Sequence, residues 1–287
     1  MTAVEHAVIV AGGLGSRMLP ASAYTAKETM PLIDVPSMIH LILEAKHAGI
    51  KHIHFILSPD KDISSILNGK SKYSTLRNDI DSMLFESLID VQYHIHIQHE
   101  ALGLGHALLQ SLAAINGPFA VLLGDNILLD SYEKLDNYQP SNATKNLIHQ
   151  FKTSQSAVAG IYTVPDEELS KYGVVSLSDD KIVSIVEKPN LEDAPSNYVL
   201  CGRYIFTEDA KNLLENTFSV EEFGEMQSIE LQKYWMERNL LSFVDLSKFS
   251  WYDSGNPLSW IKSQVDYALK RADLAPTFRE WLTSRLQ

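Results

Sequence analysis

At 287 residues, with 45% hydrophobic and 21% charged residues, the chain has an ordinary globular composition and the length to bury a substantial core. A net charge of −12 excludes an extended basic face for nucleic acid, while leaving room for a local basic pocket that takes a small phosphorylated ligand. One cysteine, Cys201, excludes an internal disulfide framework and suits a cytoplasmic setting; no run is long enough to span a membrane, and the acidic N-terminus lacks the basic start of a secretory signal. No repeat, low-complexity tract or linker divides the sequence, so a single domain over 1–287 is expected.

In chain order, Ala7–Val10 is an apolar run of strand length. It empties into a loop with Gly12, Gly13 and Gly15, followed by Arg17 and Lys27. Glycines after a strand let backbone N–H groups approach an anion, and two cations beyond them point to a polyphosphate. Neither common phosphate motif fits: a dinucleotide fingerprint from Gly13 meets Met18 where it needs glycine, and a P-loop would need Gly-Lys-Ser/Thr where Gly15 precedes Ser16 and Arg17. Ser37 is expected to cap a helix reaching Ala48, with Gly49 as its stop. His52–Leu57 reads as a strand. Tyr93–Gln98 alternates as a strand with one polar face, on which His94 and His96 are read as solvated rather than metal-binding, since no third ligand clusters near them. Gln98 and the turn Gly103–Ala107 precede a helix over Leu108–Ala114; the turn is either a plain connection or a place where a base lies on glycine backbone while the Gln98 amide reads its edge. Phe119–Leu123 is a buried strand ending in Gly124-Asp125-Asn126, where a carboxylate sits at the carboxyl end of a central strand. The order to this point predicts a doubly wound, largely parallel sheet.

From about Ser154 the segments become shorter and richer in strands. Val158–Val164 is one; Tyr172–Val175 and Ile182–Val186 form a hairpin across Ser178–Asp180 and end in Glu187-Lys188-Pro189. Ser196–Phe206 is a further strand, in which Cys201 reads as a small packed hydrophobe because no base is patterned with it. Helices are expected near Asp209–Leu214 and Glu225–Met236, then a strand over Leu241–Leu246 and an acidic turn, Ser250–Asn256, carrying Asp253. The tail from Pro257 reads as amphipathic helices that pack on the domain or on a partner subunit.

Taken together, AGGLGSRMLP…KETMP, Gln98 with GLGHA, the strand-end GDN, KYGVV, EKP, SNYVLCGRY and WYDSGN follow the order found in sugar-1-phosphate nucleotidyltransferases. The sequence resembles that family over nearly its whole length, and GLGHA with the ending APTFREWLTSRL resembles its bacterial-type glucose-1-phosphate uridylyltransferase branch. Ala26 replaces the usual proline before the signature lysine, Thr29-Met30 replaces Met-Leu, and GDN is closer to the thymidylyltransferase branch. The resemblance implies a Rossmann-like α/β fold with a mixed, mostly parallel central sheet flanked by helices. About 1–150 would form the nucleotide-binding part, about 151–256 a β-rich sugar-phosphate part, and about 257–287 the C-terminal helices. It further implies Mg²⁺-dependent formation of UDP-glucose and pyrophosphate from UTP and glucose 1-phosphate in a cytoplasmic homodimer or homotetramer, with no nucleic-acid or membrane partner. By motif, Ala11, Gly12, Gly13, Gly15 and Arg17 would hold the triphosphate and Lys27 would neutralise charge at the reacting phosphates. Gln98 and Gly103 would read the base, and Asp125 and Asp253 would hold the metal. Gly173, Glu187, Lys188, Val199 and Gly202 would form the sugar-phosphate site. Segment 223–230 only loosely follows the family pattern and is assigned no role.

That chemistry is coherent on its own terms. A phosphate monoester with a second pKa near ~6 is largely dianionic at neutral pH and needs no general base. It needs in-line placement and charge relief, which suits Arg, two Lys and a metal without any Ser-His-Asp or Cys-His arrangement. Alternatives are thymidylyl transfer, another sugar phosphate as acceptor, or a catalytically silent sugar-nucleotide-binding regulator.

Overall fold

A computed structural model describes residues 3–218 and 226–286. Its first half runs β1 (His6–Ala11), the short pair β2 (Pro31–Leu32) and β3 (Val35–Pro36), α1 (Ser37–His47), β4 (His52–Leu57), the single turn α2 (Ser64–Leu67), β5 (Gln92–Ile97), α3 (Leu104–Leu112), β6 (Phe119–Leu123), β7 (Asn126–Leu129) and α4 (Ala143–Ser154). The second half runs β8 (Ala157–Thr163), β9 (Gly173–Ser178), β10 (Lys181–Glu187), β11 (Tyr198–Phe206), α5 (Ala210–Asn216), α6 (Ile229–Glu237), β12 (Leu241–Asp245), β13 (Ser250–Asp253), α7 (Pro257–Lys270) and α8 (Ala275–Leu286). Residue 225, where the sequence places the start of a helix, lies outside the described residues; the helix itself is seen from Ile229.

The apolar runs become a nine-stranded sheet in the order β5-β4-β1-β6-β11-β8-β12-β10-β9. The strands β5, β4, β1 and β6 are parallel, joined by helical crossovers. Beyond β6 the pairings are antiparallel except β8 with β12. Within the parallel part, β1 and β6 read as nearly unbroken apolar sequence because both their faces are covered, while the edge strand β5 alternates. α1 and α4 supply residues such as Met38, Leu41 and Leu147 to one core, and α3, α5 and α6 supply Leu108, Leu213 and Trp235 to the other. Among the described residues no helix is long and apolar enough to cross a membrane.

Three local expectations change. Ser37 is the first helical residue rather than the cap, and its hydroxyl instead donates to Met30 O at 2.8 Å. α3 starts at Leu104, so most of GLGHA forms its first turn and not a loop ahead of it. The acidic turn 250–256 begins as a strand, β13, which pairs antiparallel with β7 and sets Asp253 opposite Asn126. Both strands are four residues long and carry too little pattern to be read from sequence.

His94 and His96 are not solvated. They stand half-buried in a ladder with His6, His52 and His54 across β1, β4 and β5. Ring centroids are 4.6 Å apart for His6–His52 and His54–His94, and 5.2 Å for His54–His96. His54 is fully buried, and its two ring nitrogens each lie 3.0 Å from a nitrogen of His6 and of His96. Among the described residues no group of three or more His, Cys, Asp or Glu is placed to hold a metal ion. Burial pushes His54 down to about 3, and His6 and His96 also fall below the usual value of 6.5. Folded-state values below the unfolded one mean that the unfolded chain binds more protons. Stability is therefore intact above the usual histidine range and drains away as pH falls through it. The thermal midpoint is expected to fall between about pH 7 and pH 5, and to fall less steeply in His54→Leu. Melting curves across that range check it; equal slopes for the two proteins would remove the ladder from the account.

Candidate active site

The site forms at the carboxyl edge of β1, β4 and β6. Lys61, just beyond β4, fixes the glycine loop from behind. Its Nζ donates to Ala11 O at 2.5 Å and Gly13 O at 2.7 Å, and to both carboxylate oxygens of Glu28 at 2.8 and 3.0 Å. The Ala11–Gly12 and Gly13–Leu14 peptides are trans, so with their carbonyls drawn to Lys61 their N–H groups face the opposite side. A row of N–H groups turned outward is what an anion-binding loop requires. Burial pushes the Glu28 carboxyl up and the Lys61 ammonium down, and their mutual contact opposes both shifts. Neither residue was singled out from sequence. The only signal was a lysine shortly after the strand beside β1.

Lys27 sits on a short 3₁₀ turn, Lys27–Thr29, and is 8% exposed. Its Nζ donates to Asp125 Oδ2 at 2.5 Å and lies 3.9 Å from Glu28 Oε1. Asp125 follows β6 at the strand end, as expected, with its side chain partly open to solvent. The β7–β13 pair brings Asp253 alongside: Ser254 N donates to Asp125 O at 3.1 Å, and Asp253 Oδ1 accepts from Gly255 N at 2.6 Å. Arg17, exposed on the turn Ser16–Met18, reaches the same place. Its Nη2 would lie 3.4 Å from a Cβ on Gly255. Two neighbouring carboxylates make a hard-oxygen donor pair that fits a small divalent cation whose remaining ligands are phosphate oxygens and water.

On the other side of the loop, Gln98 extends from β5. Its Nε2 donates to Gly103 O at 3.2 Å and to His106 Nδ1 at 3.1 Å. Gly103 has φ 98°, and a Cβ there would meet Met226 O at 2.5 Å, so only glycine fits. Met226 N donates to Leu102 O, and Gly105 N to Met226 O. The described part of segment 223–230, from Met226, therefore braces the GLGHA turn; residues 223–225 lie outside the described residues.

Gly173, Glu187, Lys188 and Gly202 gather on the far side of Asp125. Gly173 pairs with Glu187 across the β9–β10 hairpin. Lys188 leaves β10 in the left-handed region (φ 46°), its N donating to Tyr172 O and its Nζ lying 3.1 Å from Glu187 Oε1. Tyr172 packs on Trp251 at 5.1 Å, and Trp251 Nε1 donates to Asn126 Oδ1 at 2.7 Å. Gly202 lies where β11 changes register, and a Cβ on it would stand 2.9 Å from Asn126 Nδ2. Val199 differs: the whole residue is buried, its side chain with Val164, Leu169 and Val174 and its backbone between β8 and β9, so it does not line an open pocket here. Cys201 is fully buried and its thiol is pushed up to about 12 by burial, consistent with a packing role.

The glycine loop, the Lys27–Asp125 pair and the amide of Gln98 share the carboxyl edge of the parallel strands, and the contacts of Trp251 with Tyr172 and Asn126 tie the Glu187–Lys188 end of β10 to that edge. Residues 6–270 match the profile of the Nucleotidyl transferase family. The chain belongs to the nucleotidyl transferase family. It is 28% identical over 302 aligned residues, covering 98% of this chain and 96% of the relative, to "UTP--glucose-1-phosphate uridylyltransferase 2" of Streptococcus pyogenes serotype M3. Among solved structures it is similar to a UDP-glucose pyrophosphorylase complexed with UDP-glucose (TM-score 0.80, 29% identity, 93% of this chain and 100% of that one). It is also similar to a UTP-bound UGPase from Acinetobacter baumannii (TM-score 0.79, 27% identity, 98% and 99%). In this nucleotidyl transferase the mixed α/β sheet and the C-terminal helices agree with the fold implied by the motifs.

Proposed function

We propose that this nucleotidyl transferase is a uridylyltransferase that makes UDP-glucose and pyrophosphate from UTP and glucose 1-phosphate. The observation that carries the proposal is the Lys27–Asp125 contact at 2.5 Å, placed between a loop built for a polyphosphate and a strand end built for a sugar phosphate. The uridylyl specificity is supported by relatives and structural neighbours named for UTP and UDP-glucose. The outward N–H groups of the glycine loop and Arg17 hold the β- and γ-phosphates. The sugar phosphate, held by Lys188 with Glu187 toward the sugar hydroxyls, attacks the α-phosphorus in line; the new P–O bond forms as the bond to pyrophosphate breaks. No general base is required because the attacking oxygen is already ionised. Lys27 offsets the charge that accumulates where the two anions meet. Asp125 and Asp253 would hold Mg²⁺, which when bound screens the phosphate oxygens.

The domain reading belongs to the same proposal: residues to about 150 bind the nucleotide, about 151–256 the sugar phosphate, and the C-terminal helices complete one working unit. So do a cytoplasmic setting and a homodimer or homotetramer, which light scattering after gel filtration would read. The direct test is pyrophosphate release with Mg²⁺ across UTP, dTTP, CTP, ATP and GTP, each against glucose 1-phosphate and its epimers. UTP with glucose 1-phosphate is expected to give the highest rate. Release with dTTP well above UTP would reassign the base specificity, and none with any pair would favour a silent regulator.

Lys61 supplies a finer prediction. Removing its ammonium while neutralising its buried partner, Lys61→Met with Glu28→Gln, avoids leaving an unpaired buried carboxylate. With the loop carbonyls released, KM for UTP is expected to rise about tenfold or more while KM for glucose 1-phosphate stays near the wild-type value. Initial rates with each substrate varied in turn would show it. A parallel rise in both constants would mean general disorder of the site instead.

A further inference from the structure

Between the Lys27 turn and α1 the chain makes the β2–β3 hairpin, and its tip is strained. Ile33 has φ 61°, and Asp34 N donates to Leu32 O at 3.0 Å across it. A hydrogen bond spanning three residues over a positive φ is the rare and strained form of the γ-turn. A β-branched side chain makes that conformation costlier still, where glycine would adopt it freely. The holder of the turn is Gln264 of α7. Ile33 N donates to Gln264 Oε1 at 2.6 Å, and Gln264 Nε2 donates to Pro31 O at 2.8 Å. A backbone N–H only donates and a backbone carbonyl only accepts, so these two contacts leave the side-chain amide a single orientation. Arg271, just past the end of α7, adds an ion pair with Asp34. The base of the hairpin is the end of the Lys27 turn. Met30 N donates to Lys27 O at 3.2 Å, and Met30 O accepts from Ser37 N at 3.0 Å and from the Ser37 hydroxyl at 2.8 Å. α7 holds the opposite wall of the site as well. The Ser263 hydroxyl stands 3.3 Å from Asp253 O, and Asp266 Oδ2 accepts from the Tyr252 hydroxyl at 2.8 Å.

We infer that Gln264 is a positioning residue for Lys27: by clamping the strained turn at Ile33 it keeps the Lys27 ammonium aligned with Asp125 and with the Asp253 strand that the same helix holds. This rests on the reading that Lys27 offsets charge in the transfer step. The strain is what makes the clamp matter. At a relaxed turn, losing one side-chain contact would leave the backbone where it was. At Ile33 the released turn falls back toward negative φ and redirects the chain on both sides, Met30 and the Lys27 turn included. A shift of about 1 Å in a group that acts on the reacting phosphates is enough to cost up to ~10²-fold in rate. Gln264 acts through Lys27 and not on a substrate, so its effect falls on kcat, where the contact of Lys27 is realised.

The test is kcat and both KM values for the wild type, Gln264→Leu, Ile33→Gly and the double variant, with UTP, glucose 1-phosphate and Mg²⁺. Gln264→Leu is expected to lower kcat by about tenfold or more while each KM stays within about threefold of wild type. Ile33→Gly is expected to stay near the wild-type kcat. In the double variant the turn no longer needs a clamp, and most of the lost kcat is expected to return. A merely structural role predicts the reverse. Ile33 packs against the cluster of Leu32, Ile127 and Tyr252, so removing its side chain would add to the damage. Amide hydrogen exchange without substrates is read alongside: Gln264→Leu is expected to speed exchange over residues 27–36 by about tenfold or more and to leave α3 unchanged. A kcat for Gln264→Leu within about twofold of wild type, or a double variant no faster than Gln264→Leu, overturns the inference. A wild type that releases no pyrophosphate would overturn the uridylyltransferase reading, and exchange then decides the clamp alone. Faster exchange confined to 27–36 supports it, and unchanged exchange there overturns it.

Discussion

Replacing Lys27 with alanine is expected to lower kcat for pyrophosphate release by roughly 10²–10³-fold while the protein still folds. The rate effect follows from position. The Lys27 ammonium is nearly buried and lies 2.5 Å from Asp125 Oδ2, so its charge is only weakly screened by water. In the proposed reaction it stands between the two phosphate sites, where the in-line step concentrates negative charge that neither substrate carries alone at that point. A donor whose contact strengthens only as charge develops lowers the barrier without tightening the ground state, so kcat falls more than KM rises. The fold survives for equally local reasons. Glu28, the fully buried neighbour, keeps its ion pair with Lys61 at 2.8 Å. Asp125, left without its partner, has a side chain 28% exposed and can be hydrated. Asp125→Ala should cost a comparable factor, since it removes a proposed metal ligand and the hydrogen-bond partner of Lys27. Steady-state kinetics with both substrates saturating, beside circular dichroism melts, check both variants. A kcat within about threefold of wild type with an unchanged melt would take the residue out of the mechanism.

What could be read from the sequence divides along physical lines. The parallel strands β1, β4 and β6 are legible because burial on both faces leaves unbroken apolar runs, and the chemistry at their carboxyl ends, Gly12–Gly15, Lys27 and Asp125, is legible because strand ends in open α/β sheets are where ligands bind. The Glu187–Lys188 strand end could be located, but its relation to Asp125 could not. That relation depends on Trp251 bonding Asn126 and packing on Tyr172, contacts between residues far apart in the chain. The pairing of β7 with β13 was hidden because four-residue strands carry no usable periodicity. The residues that brace the glycine loop from behind were hidden for another reason: Lys61 belongs to no motif, and Glu28 sits inside KETMP with no role assigned to it. Their functions rest on which carbonyl or nitrogen they meet in space. His54 shows the converse. It drew no attention within the strand His52–Leu57, yet it is the centre of a ladder in which His94 and His96 were read as solvated.

Replacing Arg203 with methionine is expected to destabilise the fold by about 3–5 kcal/mol, and replacing Glu44 along with it is expected to recover much of that loss. Arg203 on β11 is fully buried. It meets Glu44 of α1 side-on, Nε to Oε1 at 2.8 Å and Nη2 to Oε2 at 3.0 Å. The same guanidinium donates to Asn126 O at 2.8 Å and Gly202 O at 3.1 Å, and Glu44 Oε1 also accepts from Thr144 Oγ1 at 2.6 Å. Every polar atom of the pair is thus occupied, and both side chains are buried from solvent. Arg203→Met leaves the Glu44 carboxylate with a Thr hydroxyl and a backbone N–H but no cation, and an uncompensated buried charge is what makes such single substitutions costly. Arg203→Met with Glu44→Met removes both charges. The residual cost is the loss of donors to Asn126 O and Gly202 O, together with whatever volume the methionines fail to fill. Urea unfolding of the wild type, the two single variants and the double variant gives the coupling directly, provided the slope with urea stays constant. A single Arg203→Met variant within about 1 kcal/mol of wild type would show that the pair contributes little to the fold. The position of those two carbonyls gives the variant a second readout. Asn126 adjoins Asp125 and Gly202 lies on the sugar-phosphate side, so the doubly substituted protein, though folded, is expected to bind glucose 1-phosphate more weakly than UTP relative to wild type. A bidentate arginine at this point holds the strand end that carries Asp125 and the strand that carries Gly202 in one register, which two methionines can fill but cannot fix.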